Sequence, residues 1–133
     1  MIKKINNFKI LLDEISKCLV FDDIVVSNNI NADCVEGQFE TCDYYLVIMS
    51  TIGFDGEYFT ATLLDKQCNE IDKKYFCLSY IDLEYLDAVP IRDNQIKVTF
   101  TNKASVVIQI CKIPFFPLKS FIWIRKWKRP KNT

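Results

Sequence analysis

Residues 44–64 read YYLVIMSTIGFDGEYFTATLL. β-Branched and aromatic residues fill both halves of the stretch, with Gly53-Phe54-Asp55-Gly56 between them. Such side chains suit a pleated, half-buried surface, and an Asp-Gly step readily takes the positive φ values of a tight hairpin turn. The segment is therefore expected to form a β-hairpin. Its first half, Tyr44 to Ile52, is apolar on both faces, which predicts a strand in mid-sheet. In the returning half Tyr58, Thr60, Thr62 and Leu64 share one face, while Phe59, Ala61 and Leu63 share the other, which is assigned to the core.

Outward from this hairpin, Ile24 to Ser27 and Cys34 to Thr41 read as shorter strands. Ile96 to Thr101 and Ala104 to Cys111 flank Asn102-Lys103 and predict a second hairpin. Lys74 to Tyr80 reads as a strand followed by a helical turn over Asp82 to Leu86 capped by Asp82, although one helix through 72–86 satisfies the spacing too. Ser120 to Lys128, beyond Pro114 and Pro117, is either an edge strand or an aromatic-rich helix. At the N-terminus Ile5, Phe8, Leu12, Ile15 and Leu19 recur at steps of three and four, the pattern of an amphipathic helix. Asn6 or Asn7 would cap it and Lys17 would sit in its last turn. The expected fold is α+β: residues 1–133 as a single domain, with the N-terminal amphipathic helix packed on a mainly antiparallel β-sheet of about six to seven strands.

With 50% hydrophobic residues, 3 Gly and 4 Pro, the composition excludes a linker or low-complexity segment. The basic start is followed by Ile10-Leu11-Leu12, which stops at Asp13 and Glu14, so no signal-peptide core is expected. Charges interrupt every apolar run short of the ~18–20 residues of a membrane span. A cytoplasmic protein with no membrane span is the expectation. Cys18, Cys34, Cys42, Cys68, Cys77 and Cys111 are then expected to be reduced thiols packed as small hydrophobes.

The chain has no histidine, which removes the usual general base and the commonest metal ligand. It has no CxxC pair and no glycine-rich phosphate loop. Glu36 with Glu40, or Asp55 with Glu57, are carboxylate pairs of the kind solvated on strand exteriors and hairpin tips. Asn29, Asn31, Asp33 and Glu36 do not follow calcium-loop spacing. No metal, no cofactor and no enzymatic activity are expected.

Charge is the distinctive feature. The net charge is zero, yet residues 1–21 carry +2, residues 22–96 carry −11 and residues 97–133 carry +9 without a single acid. Such blocks give an acidic and a basic face if the fold keeps them apart, or ordinary cross-strand pairs of Lys97, Lys103 and Lys112 if it interleaves them. In size, missing catalytic groups and acidic middle block the chain resembles small immunity proteins and antitoxin-like inhibitors, a resemblance of composition and not of motif. It implies a non-enzymatic binding protein that occludes a basic partner, a toxin or nuclease domain. Asp82, Glu84 and Asp87 around Tyr85, with Asp55 and Glu57, are the candidate partner-binding residues. The alternative surface is the basic aromatic tail, Trp123, Arg125, Lys126, Trp127 and Lys128, which suits nucleic acid or another anionic surface.

Overall fold

The computed structural model describes residues 1–12, 15–53, 56–76, 84–101, 103–115 and 120–126. These residues form strands and turns with no helix. In chain order the strands are β1 (Lys3–Lys4), β2 (Phe8–Leu12), β3 (Lys17–Phe21), β4 (Ile24–Ser27), β5 (Cys34–Glu40) and β6 (Tyr44–Gly53). They continue with β7 (Gly56–Asp65), β8 (Glu70–Phe76), β9 (Tyr85–Arg92), β10 (Gln95–Phe100), β11 (Ser105–Phe115) and β12 (Ser120–Lys126). Three antiparallel sheets result, with strand orders β1-β5-β6-β7-β8, β12-β11-β10-β9 and β2-β3-β4.

The five- and four-stranded sheets pack face to face. Phe39, Leu46, Ile48, Phe59 and Leu63 from one meet Ile96, Val98, Phe100, Ile108 and Ile122 from the other in the larger core. Phe59 touches Phe100 edge-to-face at 5.0 Å between ring centroids. One corner of this sandwich is joined by Asp72 of β8, whose Oδ2 accepts the N–H groups of Phe121 and Ile122 at 2.9 and 3.0 Å. The carboxylate thus ties β8 of one sheet to the start of β12 of the other. At the other corner Tyr85 of β9 lies over β5, and a Cβ on Gly37 would stand 3.0 Å from its hydroxyl oxygen. Glycine there admits the ring, beside a bulge between Val35 and Gly37.

β6 is buried on both faces. Leu46 and Ile48 enter the sandwich core, while Val47 and Met49 enter a second core beneath the three-stranded sheet, with Phe8, Leu19 and Leu64. The mid-sheet assignment of Tyr44 to Ile52 holds, and the hairpin pairs through Gly53 opposite Gly56. The turn residues Phe54 and Asp55 lie outside the described residues. The predicted facing of the returning strand also holds, with Phe59, Ala61 and Leu63 in the sandwich core.

The α+β expectation is overturned. The segment read as an amphipathic helix is the hairpin β2–β3, paired from Phe8 opposite Phe21 to Leu12 opposite Lys17. Phe8, Ile10, Leu19 and Phe21 supply the inner surface, whereas Leu12 and Ile15 of the supposed stripe are 77% and 96% exposed. The run Ile10-Leu11-Leu12 satisfies both periods, and tertiary demand decides between them: Val47 and Met49 need a covering layer. The sheet edge is held by Gln38, whose side-chain amide donates to Phe8 O at 3.0 Å and accepts from Phe8 N at 2.7 Å, as a neighbouring strand would. Asn7 caps no helix but donates to Asp22 at 2.8 Å, and Lys17 pairs with Asp33.

The strand count also exceeds the expected six to seven, chiefly through β2, β3 and β9. A helix through 72–86 is excluded where the chain is described, since Asp72 to Phe76 and Tyr85 to Leu86 are strand; the turn proposed at Asp82 lies outside the described residues. Ser120 to Lys126 is strand, not helix. The five described cysteines are free; Cys68 packs against the second core, Cys18 and Cys111 are partly buried, and Cys34 and Cys42 are exposed, so the expectation of core packing fails for those two. Cys77 lies outside the described residues.

Candidate functional site

In an up-and-down arrangement of antiparallel strands, every second turn falls at the same end. Four such turns gather at one end of this molecule, and each carries aspartate. The β3–β4 turn is Asp22-Asp23, with φ of 48° and 69°, a left-handed conformation that aspartate tolerates. Its shape is fixed by Asp22 N donating to Asn7 O at 3.0 Å. In the β5–β6 turn Thr41 organises Cys42 and Asp43, its Oγ1 accepting from Asp43 N at 3.3 Å and Tyr44 N at 2.9 Å. In the β7–β8 turn Asp65 accepts the N–H groups of Asn69 at 2.8 Å and Gln67 at 2.9 Å. The backbone N–H of Asn69 is the main reason that its carboxyl lies below the usual range. The β9–β10 turn is Asp93-Asn94, tied to β11 by Ile110 N donating to Asn94 O at 2.8 Å.

These turns are neighbours in space. Asp65 and Asp22 both act on Cys68, whose thiol is pushed up first by burial and then by those two charges. Asp43 and Asp93 both line a cleft of about 490 Å³, together with Tyr44, Ile110, Thr41, Asn94, Cys42 and Met1. Both aspartates are exposed. Burial, then the charge of Asp43, pushes the Tyr44 hydroxyl up. Cations also stand at this end: Lys66 pairs with Glu40 at 2.7 Å while lying 4.5 Å from the Tyr45 ring, Lys3 is opposite Glu40, and Arg92 flanks the Asp93–Asn94 turn. The cleft has the chemistry to take a lysine or arginine side chain, its stem along Tyr44 and Ile110 and its charge between two carboxylates.

The residues singled out from sequence are placed differently. Tyr85 is half-buried against the sandwich core, and burial, then Asp87 and Glu36, push its hydroxyl up to about 12. Asp87 is exposed and paired with Lys4 at 3.4 Å. Glu84 is exposed, and its backbone bonds Thr101. Asp55 and Asp82 lie outside the described residues, and so does the side chain of Glu57. On the alternative surface, Trp123 and Arg125 share the outer face of β12, where Arg125 continues a cross-strand row through Val107 to Lys97. Lys126 ends β12, and Trp127 and Lys128 lie outside the described residues.

The three charge blocks are therefore partly interleaved and partly separated. Lys4 and Lys17 of the first block pair with Asp87 and Asp33 of the second. Lys103, Arg125 and Lys126 of the third lie at the end opposite the aspartate turns, since Val106 and Val107, next to the β10–β11 turn, pair with Lys126 and Arg125. Asp22, Asp43, Asp65 and Asp93 follow one another at intervals of 21, 22 and 28 residues. Two strands and two turns fit that interval, and this was the signal in the sequence that could have located the acidic end.

Among the described residues no three His, Cys, Asp or Glu side chains are grouped to hold a metal ion. No described helix is long and apolar enough to cross a membrane. No protein-family model matches the chain, and neither a curated protein nor a solved structure matches it significantly.

Proposed function

We propose that the protein is a non-enzymatic binding module that engages a basic protein partner through its acidic end. One observation carries this reading: four turns from separate parts of the chain converge there, and Asp43 and Asp93 from two of them line the same cleft. A single acidic turn would be an ordinary solvated surface. An open cleft lined by two carboxylates, a tyrosine and an isoleucine offers a basic side chain both charge and apolar contact. A toxin or nuclease domain fits the role, because such a protein must present lysine and arginine to phosphate and is silenced when carboxylates take the place of phosphate. In this reading the working residues are Asp43 and Asp93, with Asp22, Asp23 and Asp65 at the perimeter, in place of the Asp82–Glu84–Asp87 set.

An oligo-arginine peptide serves as a defined probe, with a heparin fragment as its anionic counterpart. The peptide is expected to bind saturably and to weaken as salt rises, mainly through slower association. Asp43→Lys combined with Asp93→Lys is expected to remove that binding. Tighter binding of heparin than of the peptide, lost in an Arg125→Glu variant, would transfer the function to the outer face of β12. The cross-strand row of Lys97, Val107 and Arg125 beside Trp123 is the observation that favours this second reading.

A further inference from the structure

A second cleft lies away from the acidic end, on the face of β6, β7 and β8 that the three-stranded sheet covers only in part. Its volume is about 490 Å³, within the usual range of about 300–1,000 Å³ for small-molecule sites. The register builds its floor in rows, with Met49, Thr60 and Tyr75 side by side and Thr51 beside Tyr58. Its wall is the segment between β4 and β5, which is anchored at both ends. Ile30 N donates to Lys17 O at 3.1 Å, and Asp33 N donates to Ser50 O at 2.8 Å. The Asp33 carboxylate also accepts from Ile52 N at 2.8 Å and from the Lys17 ammonium. The wall is thus held in place before any ligand arrives.

A recess of about 50 Å³ adjoins this cleft and shares Ser27, Ile30, Met49 and Lys73 with it. Thr62 lines the recess. Its side chain is buried, at 3% exposure, and its Oγ1 has no hydrogen-bond partner. A buried hydroxyl left without a partner is unfavourable and marks a place where a polar group is wanted.

The chemistry of the lining selects the ligand class. Asn28, Asn29 and Asn31 offer carboxamides from the wall, and Thr51 and Thr60 offer hydroxyls from the floor, so donors and acceptors are equally available. Tyr58 and Tyr75 expose their rings, at 41% and 73%. Among the described residues the cleft itself is lined by no carboxylate, and the one that lines the recess, Glu70, lies 3.8 Å from the Lys73 ammonium, which also stands 5.9 Å from the Tyr75 ring, so the site carries no net charge to select an ion. We propose that this cleft binds a small neutral saccharide, a mono- or disaccharide. Tyr58 and Tyr75 lie against its C–H faces, the asparagines take its ring hydroxyls, and Thr62 receives one hydroxyl in the recess. The site uses neither Asp43 nor Asp93, although its recess reaches Cys68 of the β7–β8 turn.

The test is an amide-resolved NMR titration of the whole chain with glucose, N-acetylglucosamine and maltose, alongside glucuronate and inorganic phosphate. At least one neutral sugar is expected to bind, with a dissociation constant on the order of 1 mM, and to shift amides at 28–32, Thr60 and Tyr75. Tyr75→Ala should weaken that binding. Thr62→Val replaces an unpaired hydroxyl by a methyl of the same shape, so thermal stability should hold or rise while sugar affinity falls about fivefold, the worth of one hydrogen bond. The proposal is overturned if none of the three neutral sugars shifts cleft amides by about 100 mM, or if phosphate or glucuronate does so and they do not. It is overturned equally if Thr62→Val and Tyr75→Ala both bind sugar as the wild type does.

Discussion

The two ends of the sandwich are built by the same strands and differ in the charges that their turns present. At one end, turns within residues 22–94 present Asp22, Asp23, Asp43, Asp65 and Asp93; at the other, the β10–β11 turn and the close of β12 present Lys103, Arg125 and Lys126. A chain with zero net charge thereby gains an end richer in acids, though Lys3, Lys66 and Arg92 stand there too, and an end richer in bases, where Glu84 also lies. Charge blocks in a sequence become charged surfaces only through topology. In an antiparallel arrangement a block that spans several strands reaches both ends, so the decisive property is which turns hold the acids. Acids placed elsewhere are absorbed locally, as Asp87 on β9 is by Lys4 and Asp33, just before β5, is by Lys17.

The largest expected effect separates the scaffold of the acidic end from its centre. Phe8 is 2% exposed and packs edge-to-face on Phe21 and Tyr45, with centroids at 4.8 and 5.5 Å. Phe8→Ala should cost about 3–5 kcal/mol in urea unfolding. Hydrogen exchange should accelerate most in β2, β3 and β4, which carry Asp22 and Asp23. Peptide binding should persist in the variant while it remains folded, because Asp43 and Asp93 stand on the sandwich; complete loss would show that the acidic end works as one surface.

Asp43→Lys with Asp93→Lys comes next. A hundredfold loss of affinity for the oligo-arginine peptide, about 2.8 kcal/mol, is expected by calorimetry, with unfolding free energy within about 0.5 kcal/mol of wild type because both sites are exposed. Equal losses from reversing the exposed Glu84 and Asp87 would erase the distinction between the two ends.

Acid should act on the scaffold through a known group. The Asp33 carboxyl is held below its ordinary value of 3.8, first by the Ile52 N–H and then by Lys17. A lowered folded-state pKa stabilises the fold above the unfolded value, and that contribution is lost as pH falls through the folded one. Below pH 3.8, therefore, the link between β3 and β6 should weaken, and Asp33→Asn should flatten the acid limb of a stability profile measured by chemical denaturation.

At the alkaline side Tyr85 gives the converse. Its folded pKa of about 12 lies above the ordinary 10.0, so its contribution is complete below pH 10.0 and fades as pH approaches 12. Ultraviolet titration of tyrosinate should lose its latest-ionising component in Tyr85→Phe.

The ease of reading this fold from sequence varied with strand length and with how each face is used. β6 and β7 run ten residues each and were evident from β-branched and aromatic content alone. β2 and β3 are five residues each, too short for alternation to outweigh an accidental helical spacing of Ile5, Phe8, Leu12, Ile15 and Leu19. β9 escaped notice because Pro90 interrupts its pattern, which is tolerated where a strand lies at a sheet edge, as β9 does. The acidic middle block was visible as composition, but its working residues were not. Tyr85 drew attention to the acids near it in sequence, while Asp43 and Asp93, about 50 residues apart, are brought together only by the packing of two sheets.

The central claim is that a basic partner is received between Asp43 and Asp93, and amide-resolved NMR with the oligo-arginine peptide tests it most directly. The prediction is a compact set of shifts at Thr41 to Tyr44, Asp93, Asn94 and Ile110, absent from the Asp43→Lys, Asp93→Lys variant and from spectra taken at high salt. Shifts centred on Glu84 to Asp87, or spread evenly over every exposed carboxylate, would contradict it.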